Sequence, residues 1–195
     1  MTTLKETTHI ISGHAFRSKI DYDPFGDINL LNMDAISTTG AVGTTIEDTK
    51  KILVLDVKPE EFLGENDIIF KSKGLNNNAV MLNCVPPKTI VTASCLIIRV
   101  KKPAVLPEYV VLWLNSKAAK NHFAKATGQA TGLTIANVGK GIVEDLPIKI
   151  PPIKIQKVLV EIERLYKQEQ ELLVKIANKK EVLNRMIIEK ELQKY

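Results

Sequence analysis

The stretch Leu146-Pro-Ile-Lys-Ile-Pro-Pro-Ile-Lys-Ile-Gln156 divides the sequence into two parts with different patterns. Its proline pair ends a strand-like segment and stands where a helix can begin, because proline at the first helical position loses no hydrogen bond. The sequence contains no Pro or Gly from Ile153 to Tyr195. It therefore predicts a globular domain over residues 1–150 and one long helix within residues 151–195.

Apolar residues recur along this helix in two series of seven-residue spacing, offset by three and four residues as in a coiled coil. Glu169 and Lys179 interrupt the series. An apolar stripe of this length needs a partner, and the sequence holds no second long helix of similar pattern. We expect that partner to be a second copy of the chain; the alternative is a helix folded back on its own domain. The predicted dimerisation residues are Ile155, Val158, Ile162, Leu165, Leu172, Ile176, Leu183 and Met186.

Residues 1–150 are predicted to form an α+β domain, because short runs rich in Val, Ile and Leu are separated by turn residues. One helix is predicted from Leu106 to about Thr127, since a proline and an acid mark its first turn and a glycine follows its end. The predicted strands are Ile28–Met33, Ile52–Val57, Asp67–Phe70, Ala79–Val85, Ile90–Ala93, Cys95–Val100 and Val143–Ile150.

The 195 residues, 45% of them hydrophobic and 25% charged, suffice for one core and an appendage. The sequence has no run of about 18 apolar residues and no apolar signal core, which indicates no membrane partner. Cys84 and Cys95 lie in apolar runs, which favours buried reduced thiols and a cytoplasmic protein. The net charge of +5 permits nucleic-acid binding, although a merely soluble basic protein has the same balance.

The sequence lacks the common motifs of catalytic and nucleotide-binding sites, namely G-x-G-x-x-G, G-x-x-x-x-G-K-[ST] and H-E-x-x-H. His9, His14 and His122 are scattered, and no pair of acids stands out for acid–base chemistry. We therefore predict no catalytic residue, no metal site and no cofactor. An enzyme such as a nuclease stays as an alternative.

Two polar loop segments are better suited to reading a nucleic-acid surface. Asn and Gln side chains can bond an adenine edge, and Lys reaches guanine or phosphate. Ordinary solvated loops have a similar composition. The predicted DNA-contacting residues are Lys71, Lys73, Asn76, Asn77, Asn78 and Lys88 in or near the first segment, and Gln129, Thr131, Thr134, Asn137 and Lys140 in the second.

Seven parts of the sequence share one resemblance: Ile11-Ser-Gly13, Phe16, Gly26–Ile36, Leu63–Gly74, Ala93–Val100, Leu106–Ser116 and Leu146–Gln156. Together they resemble one half of the DNA-specificity subunit of type I restriction–modification systems. The last part is the most specific, because it is similar to the family's strand, double proline and glutamine before a long helix. Ile155 stands where the family commonly has glutamate, a departure that bears on local capping.

The resemblance implies a target-recognition domain that reads a short half-site of double-stranded DNA. The usual subunit has two such domains and two long helices, whereas this chain has one of each. The resemblance therefore implies a homodimer with antiparallel helices that reads a bipartite target. The implied partners are a methyltransferase (modification) subunit and a restriction subunit, which would hold the catalysis and its cofactors. The alternative is a scaffold or truncated competitor that binds the methyltransferase subunit without reading DNA.

Overall fold

The computed structural model describes residues 2–17, 19–31, 44–45, 49–54, 56–74, 77–128 and 136–194 of the chain. These residues form an α+β fold, as predicted. The strands, numbered in chain order, are β1 (Thr2–Thr3), β2 (Thr8–Ser12), β3 (Ile28–Leu31), β4 (Thr44–Thr45), β5 (Thr49–Ile52), β6 (Ile68–Lys71), β7 (Lys73–Gly74), β8 (Ala79–Cys84), β9 (Thr89–Ile90), β10 (Cys95–Val100), β11 (Ala136–Asn137) and β12 (Pro147–Ile148). The α-helices are α1 (Pro107–Leu114), α2 (Lys117–Ala126), α3 (Lys140–Glu144) and α4 (Ile153–Leu192).

The largest sheet of the described residues has five strands in the order β2-β10-β6-β8-β4. Strand β10 is antiparallel to β2 and β6, and β6 is antiparallel to β8, whereas β4 runs parallel to β8. A three-stranded sheet has the order β5-β3-β9, in which β3 is antiparallel to β5 and parallel to β9. The pairs β1-β12 and β7-β11 form two small antiparallel sheets.

Strand β3 contributes to two of the hydrophobic clusters that form the core of the described residues. Leu31 belongs to the cluster that contains Ile69 and Ile97 of the five-stranded sheet. Leu30 belongs to the second cluster, with Ile52 of the neighbouring strand β5. Because successive side chains of a strand point to opposite faces, β3 links the two sheets through a shared core.

Two of the predicted strands are wrong. The strand predicted over Ile52–Val57 ends at Ile52, and Asp56 has a φ of 73°, which is outside the extended conformation of a strand. Of the strand predicted over Val143–Ile150, only Pro147–Ile148 is a strand, β12, and the first two residues belong to α3. Lys140 and Glu144 form an ion pair at 3.6 Å across one turn of α3, which supports a helix there.

Four of the other predicted strands overlap β3, β6, β8 and β10, and Cys95–Val100 has its predicted bounds. The strand predicted over Ile90–Ala93 shares only Ile90 with β9, which is Thr89–Ile90. The sequence analysis missed β2, which pairs with β10 along its whole length. The Thr8-His-Ile-Ile-Ser12 segment has buried side chains at Thr8 and Ile10 and an exposed one at His9. Such alternation is typical of a half-buried strand.

The single helix predicted from Leu106 to Thr127 is in fact two helices, separated at Asn115 and Ser116. The Asn115 side chain accepts a hydrogen bond from the Ala79 amide and donates one to the Ala79 carbonyl, both at 2.8 Å. Ser116 Oγ accepts from the Ala119 amide at 3.2 Å and so caps α2. The break therefore lies where one side chain bonds strand β8 and the next begins a new helix.

The prediction that both cysteines are buried is wrong for Cys84, which lies exposed at the end of β8. Cys95 is buried, as predicted, and its burial raises the pKa of the thiol to about 12. The difference arises because β8 leaves the core before its last two residues, whereas the first residue of β10 lies within it.

Helix α4 begins at Ile153 directly after the proline pair and continues without a break to Leu192, as predicted. The chain divides into two compact units, residues 1–157 and 158–195, so that most of α4 forms the second unit. The eight predicted dimerisation residues, which we call the apolar seam, are 49% to 61% exposed. None of the described helices is long and apolar enough to span a bilayer.

Gln156 is the one buried residue of α4, a helix that the structure describes completely. Its Oε1 accepts a hydrogen bond from the Leu106 amide at 2.9 Å. Its Nε2 donates to the carbonyl oxygens of Ala104 and Pro151, both at 2.8 Å. One side chain thus satisfies three backbone groups that lie before α1 and before α4.

Replacing Gln156 with alanine should destabilise the domain, because three backbone groups lose their partner at once. Each buried polar group left unpaired costs about 1–3 kcal/mol. Because Ala104 is exposed, water can satisfy its carbonyl, and the other two groups should lower the free energy of unfolding by about 2–6 kcal/mol. Chemical denaturation at a fixed protein concentration measures this change. Lys157→Ala, a change at the exposed next residue, is the control and should shift stability by less than about 0.5 kcal/mol. Equal stability of the two variants would contradict this role of Gln156.

Candidate nucleic-acid interface

The two polar segments singled out in the sequence meet in the antiparallel ladder of β7 and β11. Lys73 lies directly opposite Asn137 in this ladder, and both residues are exposed. Just beyond the pair, the Val138 amide donates to the Ser72 carbonyl at 2.8 Å. The fold therefore places one lysine and one asparagine, from distant parts of the chain, side by side on the surface. We call this surface the β7–β11 ladder.

Asn77 and Asn78 hold the turn that leads into the ladder. Asn77 Nδ2 donates to the carbonyl oxygens of Lys71 and Ser72, at 3.0 and 3.1 Å. The Asn78 carbonyl accepts from the Lys71 amide at 2.9 Å. A bidentate contact with adenine needs an amide donor as well as an acceptor, and the Asn77 donor is already engaged. The Asn77 side chain therefore stabilises the backbone segment next to Lys73.

The sequence analysis missed a third segment of this surface, residues 92–94. The Ser94 carbonyl accepts from the Ser72 amide at 3.0 Å and from the Ser72 hydroxyl at 2.8 Å. The hydroxyl oxygens of Thr92 and Ser94 are hydrogen-bonded at 2.5 Å. Hydroxyl groups at such a surface can bond phosphate oxygens. The sequence analysis assigned Thr92 and Ala93 to a strand over Ile90–Ala93, whereas residues 93 and 94 form a turn.

Glycine at position 74 is required by the backbone of the ladder. Gly74 has a φ of 127°, a conformation that side chains with a Cβ rarely adopt. A Cβ atom there would lie 3.2 Å from Cε of Lys71. The lysine side chain therefore passes close over the backbone of the turn, next to Lys73.

The remaining predicted contact residues are placed in different ways. Lys88 immediately precedes β9, a strand of the three-stranded sheet. No pairing among the described strands connects that sheet to the ladder. Lys140 follows β11 as the first residue of α3, where it pairs with Glu144 at 3.6 Å. Four predicted contacts, Asn76, Gln129, Thr131 and Thr134, lie outside the described residues.

The charge of the ladder differs from that at the opposite end of β10. There the Arg99 guanidinium donates two hydrogen bonds of 2.8 Å to the Asp67 carboxylate, and these bonds raise the pKa of Arg99. Arg99 is thus engaged in holding the fold together. Lys71 and Lys73 form no salt bridge with any residue that the structure describes. Lys73 is exposed, so the ladder presents a positive charge at the surface.

A pocket of about 540 Å³ beside the three-stranded sheet is a weaker candidate. Its lining includes three basic residues (Arg17, Lys19 and Lys58) and three acids (Asp21, Asp56 and Glu61). His14 Nδ1 lies 2.7 Å from Glu61 Oε2, so these two groups satisfy each other. In the described part of the chain no three His, Cys, Asp or Glu side chains are grouped to hold a metal ion. The balanced charge of the pocket gives no preference for an anionic partner.

The sequence matches the family model of the type I restriction modification DNA specificity domain over residues 1–181. The chain therefore belongs to this family. In the comparison with curated proteins, no sequence matches.

Solved structures agree with this assignment at the level of the fold. The HsdS subunit from Thermoanaerobacter tengcongensis has a TM-score of 0.54 at 13% identity, over 86% of this chain and 36% of that one. The S subunit of a type I system from M. genitalium has a TM-score of 0.51 at 12% identity, over 89% of this chain and 40% of that one. A chain from a study of complex assembly and conformational transition in a type I R-M system has a TM-score of 0.57 at 12% identity, over 88% and 38%. The chain thus spans well under half the length of these relatives.

Replacing Lys73 with alanine should weaken DNA binding, because each chain would then neutralise one phosphate fewer. We expect the slope of log K against log salt concentration to become shallower by about 0.9 for each phosphate that the protein no longer neutralises. Fluorescence anisotropy with duplex DNA at several salt concentrations measures both the affinity and the slope. Lys102→Ala, at an exposed lysine near the opposite end of β10, is the matched control and should leave both unchanged. Identical slopes for the two variants would exclude Lys73 from the interface.

Proposed function

We propose that this chain is the DNA-specificity subunit of a type I restriction–modification system and that each copy reads one half-site of a bipartite target. The observation that carries DNA reading is the β7–β11 ladder, where Lys73 and Asn137 lie opposite each other. Lysine supplies a phosphate or guanine contact, and the asparagine amide supplies a donor and an acceptor for adenine. Membership of the DNA specificity family over residues 1–181 supports the proposal.

The apolar seam supports a homodimer. A fully buried Leu, Ile, Val or Met side chain contributes about 1.5–3 kcal/mol relative to an exposed one. The eight seam residues of each copy are roughly half exposed, so a second copy has a large apolar area to cover. A homodimer with a two-fold axis carries two ladders, which is the number of reading surfaces that a palindromic bipartite site needs.

Helix α4 would then set the distance between the two half-sites. Its 40 residues span about 60 Å at about 1.5 Å per residue. This length corresponds to about 18 base pairs at about 3.4 Å per step, which is an upper limit for the gap because each domain has its own width. A rigid helical spacer predicts one preferred gap length and rejection of its neighbours.

Methyl transfer and DNA cleavage would belong to the partner subunits. The likeness in fold to a chain from a type I R-M assembly supports docking of a methyltransferase subunit and a restriction subunit. Such an assembly would act on DNA in the cytoplasm.

Substituting lysine at Leu165 and Leu172 together should abolish the dimer, because two charges per copy would enter the buried seam. Multi-angle light scattering should give the mass of one chain for this variant and of two chains for the unmodified protein. The matched control replaces Gln170 and Ala177 with lysine. It adds two positive charges to each copy on the opposite face of the helix. A double Leu→Lys variant that stays dimeric would show that the seam is not the interface.

Selection from random duplex DNA tests sequence reading directly. We expect the homodimer, with its methyltransferase subunit present, to enrich a palindromic bipartite motif with one gap length, because two identical domains read it. Enrichment of a single half-site would support DNA reading but would contradict the proposal that two domains read one bipartite target. Capture of the methyltransferase subunit with no enriched motif would instead favour the scaffold or competitor, which shares the same seam.

A further inference from the structure

Two charged residues stand within the apolar seam and have no explanation in the isolated helix. Glu169 replaces an apolar residue in the series of Ile162 and Ile176, and Lys179 replaces one in the series of Leu172 and Met186. Both are exposed, and neither forms a salt bridge with a described residue of its own chain. Elsewhere on α4 opposite charges do pair along the helix, as in Arg164 with Glu161 and Arg185 with Glu181.

We propose that Glu169 of one copy pairs with Lys179 of a second copy, and that this pair fixes the register of an antiparallel dimer. The inference rests on the proposed homodimer and adds its alignment. In a two-fold antiparallel pair, residues equally far on either side of the axis lie opposite each other. Glu169 lies five residues before Val174, and Lys179 lies five residues after it. An axis at the level of Val174 therefore brings the two charges together, twice by symmetry.

The same axis also aligns the apolar residues of the seam. Leu172 and Ile176 lie two residues on either side of Val174, and Leu165 and Leu183 lie nine residues on either side. Each of these pairs joins one seam series of one copy to the other series of its mate, which is how the layers of an antiparallel coiled coil are built. Ile162 and Met186 likewise lie twelve residues on either side of Val174. Two ion pairs thus flank two central apolar layers, and only Ile155 and Val158 of the seam lie opposite polar residues, Gln193 and Lys190.

Other alignments leave the charges in unfavourable places. A shift by one heptad puts Glu169 opposite Leu172 or Met186, and puts Lys179 opposite Ile162 or Ile176. Charged groups would then be desolvated against apolar side chains. A parallel dimer in register would set each charge against its own copy, and like charges at such short range are costly. The polar pair therefore selects one alignment at some cost in stability, as polar seam residues do in other coiled coils.

The alignment has a consequence for the DNA gap. With the axis at Val174, the two Ile153 residues that begin the helices lie about 63 Å apart along the axis. A slip of one heptad changes this separation by about 10 Å, which equals about three base pairs. The ion pair would thus protect the gap length as well as the dimer.

Charge reversal tests the pair. Glu169→Lys and Lys179→Glu should each weaken the homodimer by about tenfold or more, because each creates two like-charge layers. A mixture of the two variants should recover the affinity of the unmodified protein, since both layers of the mixed dimer carry opposite charges. Sedimentation equilibrium measures the dissociation constants. Glu171→Lys makes the same change of charge on the outward face and should leave the dimer intact. If the dimer in the mixture has a dissociation constant no lower than that of each variant alone, the proposed pairing is wrong.

Cross-linking tests the register in a Cys84→Ser background, which removes the exposed native thiol. Copies carrying Leu172→Cys and Ile176→Cys should form the dominant mixed disulfide. Dominance of Leu172→Cys with Leu183→Cys, or of Leu165→Cys with Ile176→Cys, would indicate a slipped helix. Dominant self-linking of Leu172→Cys would indicate a parallel one. Any of these three results overturns the register and leaves the homodimer standing, whereas an unmodified protein that is monomeric overturns the homodimer itself.

Discussion

An apolar stripe from Ile155 to Met186 of a 40-residue helix is the constraint on which the rest of this structure depends. The seam residues are 49% to 61% exposed in the single chain, and water around so many Leu, Ile and Val side chains is unfavourable. Nothing in the helix interrupts the stripe except two charges of opposite sign. A partner with the same pattern, placed in the opposite direction, satisfies both the apolar residues and the charges. The proposed oligomeric state and the proposed geometry of recognition therefore both depend on this one element.

The domain at the start of this helix presents its candidate DNA surface through backbone architecture. Strands β7 and β11 are only two residues long. The segment around Ser72 is held beside them by a bond from the Asn77 side chain to the Ser72 carbonyl and a bond from the Ser72 hydroxyl to the Ser94 carbonyl. Lys73 and Asn137 can be replaced by other side chains without loss of any of these bonds. Such a surface allows the recognised bases to change while the supporting fold stays the same, which suits a protein whose task is specificity.

Pattern and spacing predicted the parts of the fold that depend on local chemistry. The start of α4 after the proline pair, the seam and the strand Cys95–Val100 all follow from residues close together in the sequence. The predictions of secondary structure were wrong where contacts between residues far apart in the sequence determine the structure. The helix break at Asn115 depends on its bonds to Ala79, and β2 is recognisable mainly through its pairing with β10.

The same contrast between local sequence pattern and contacts of distant residues applies to the candidate site. Composition was enough to identify both polar segments, but their meeting in one ladder depends on a pairing between residues far apart in the chain. Ser94 has no signature of its own, because its contribution is a carbonyl oxygen that accepts bonds from Ser72. The sequence likewise does not show that the Asn77 side-chain amide donates a hydrogen bond to the Lys71 carbonyl.

Sedimentation equilibrium of the unmodified protein over a wide range of concentrations tests the central claim most directly. The account predicts the mass of two chains, with dissociation only on strong dilution, because the seams cover each other. The mass of a single chain at every concentration would contradict it, since the exposed stripe would then persist in water without a second copy.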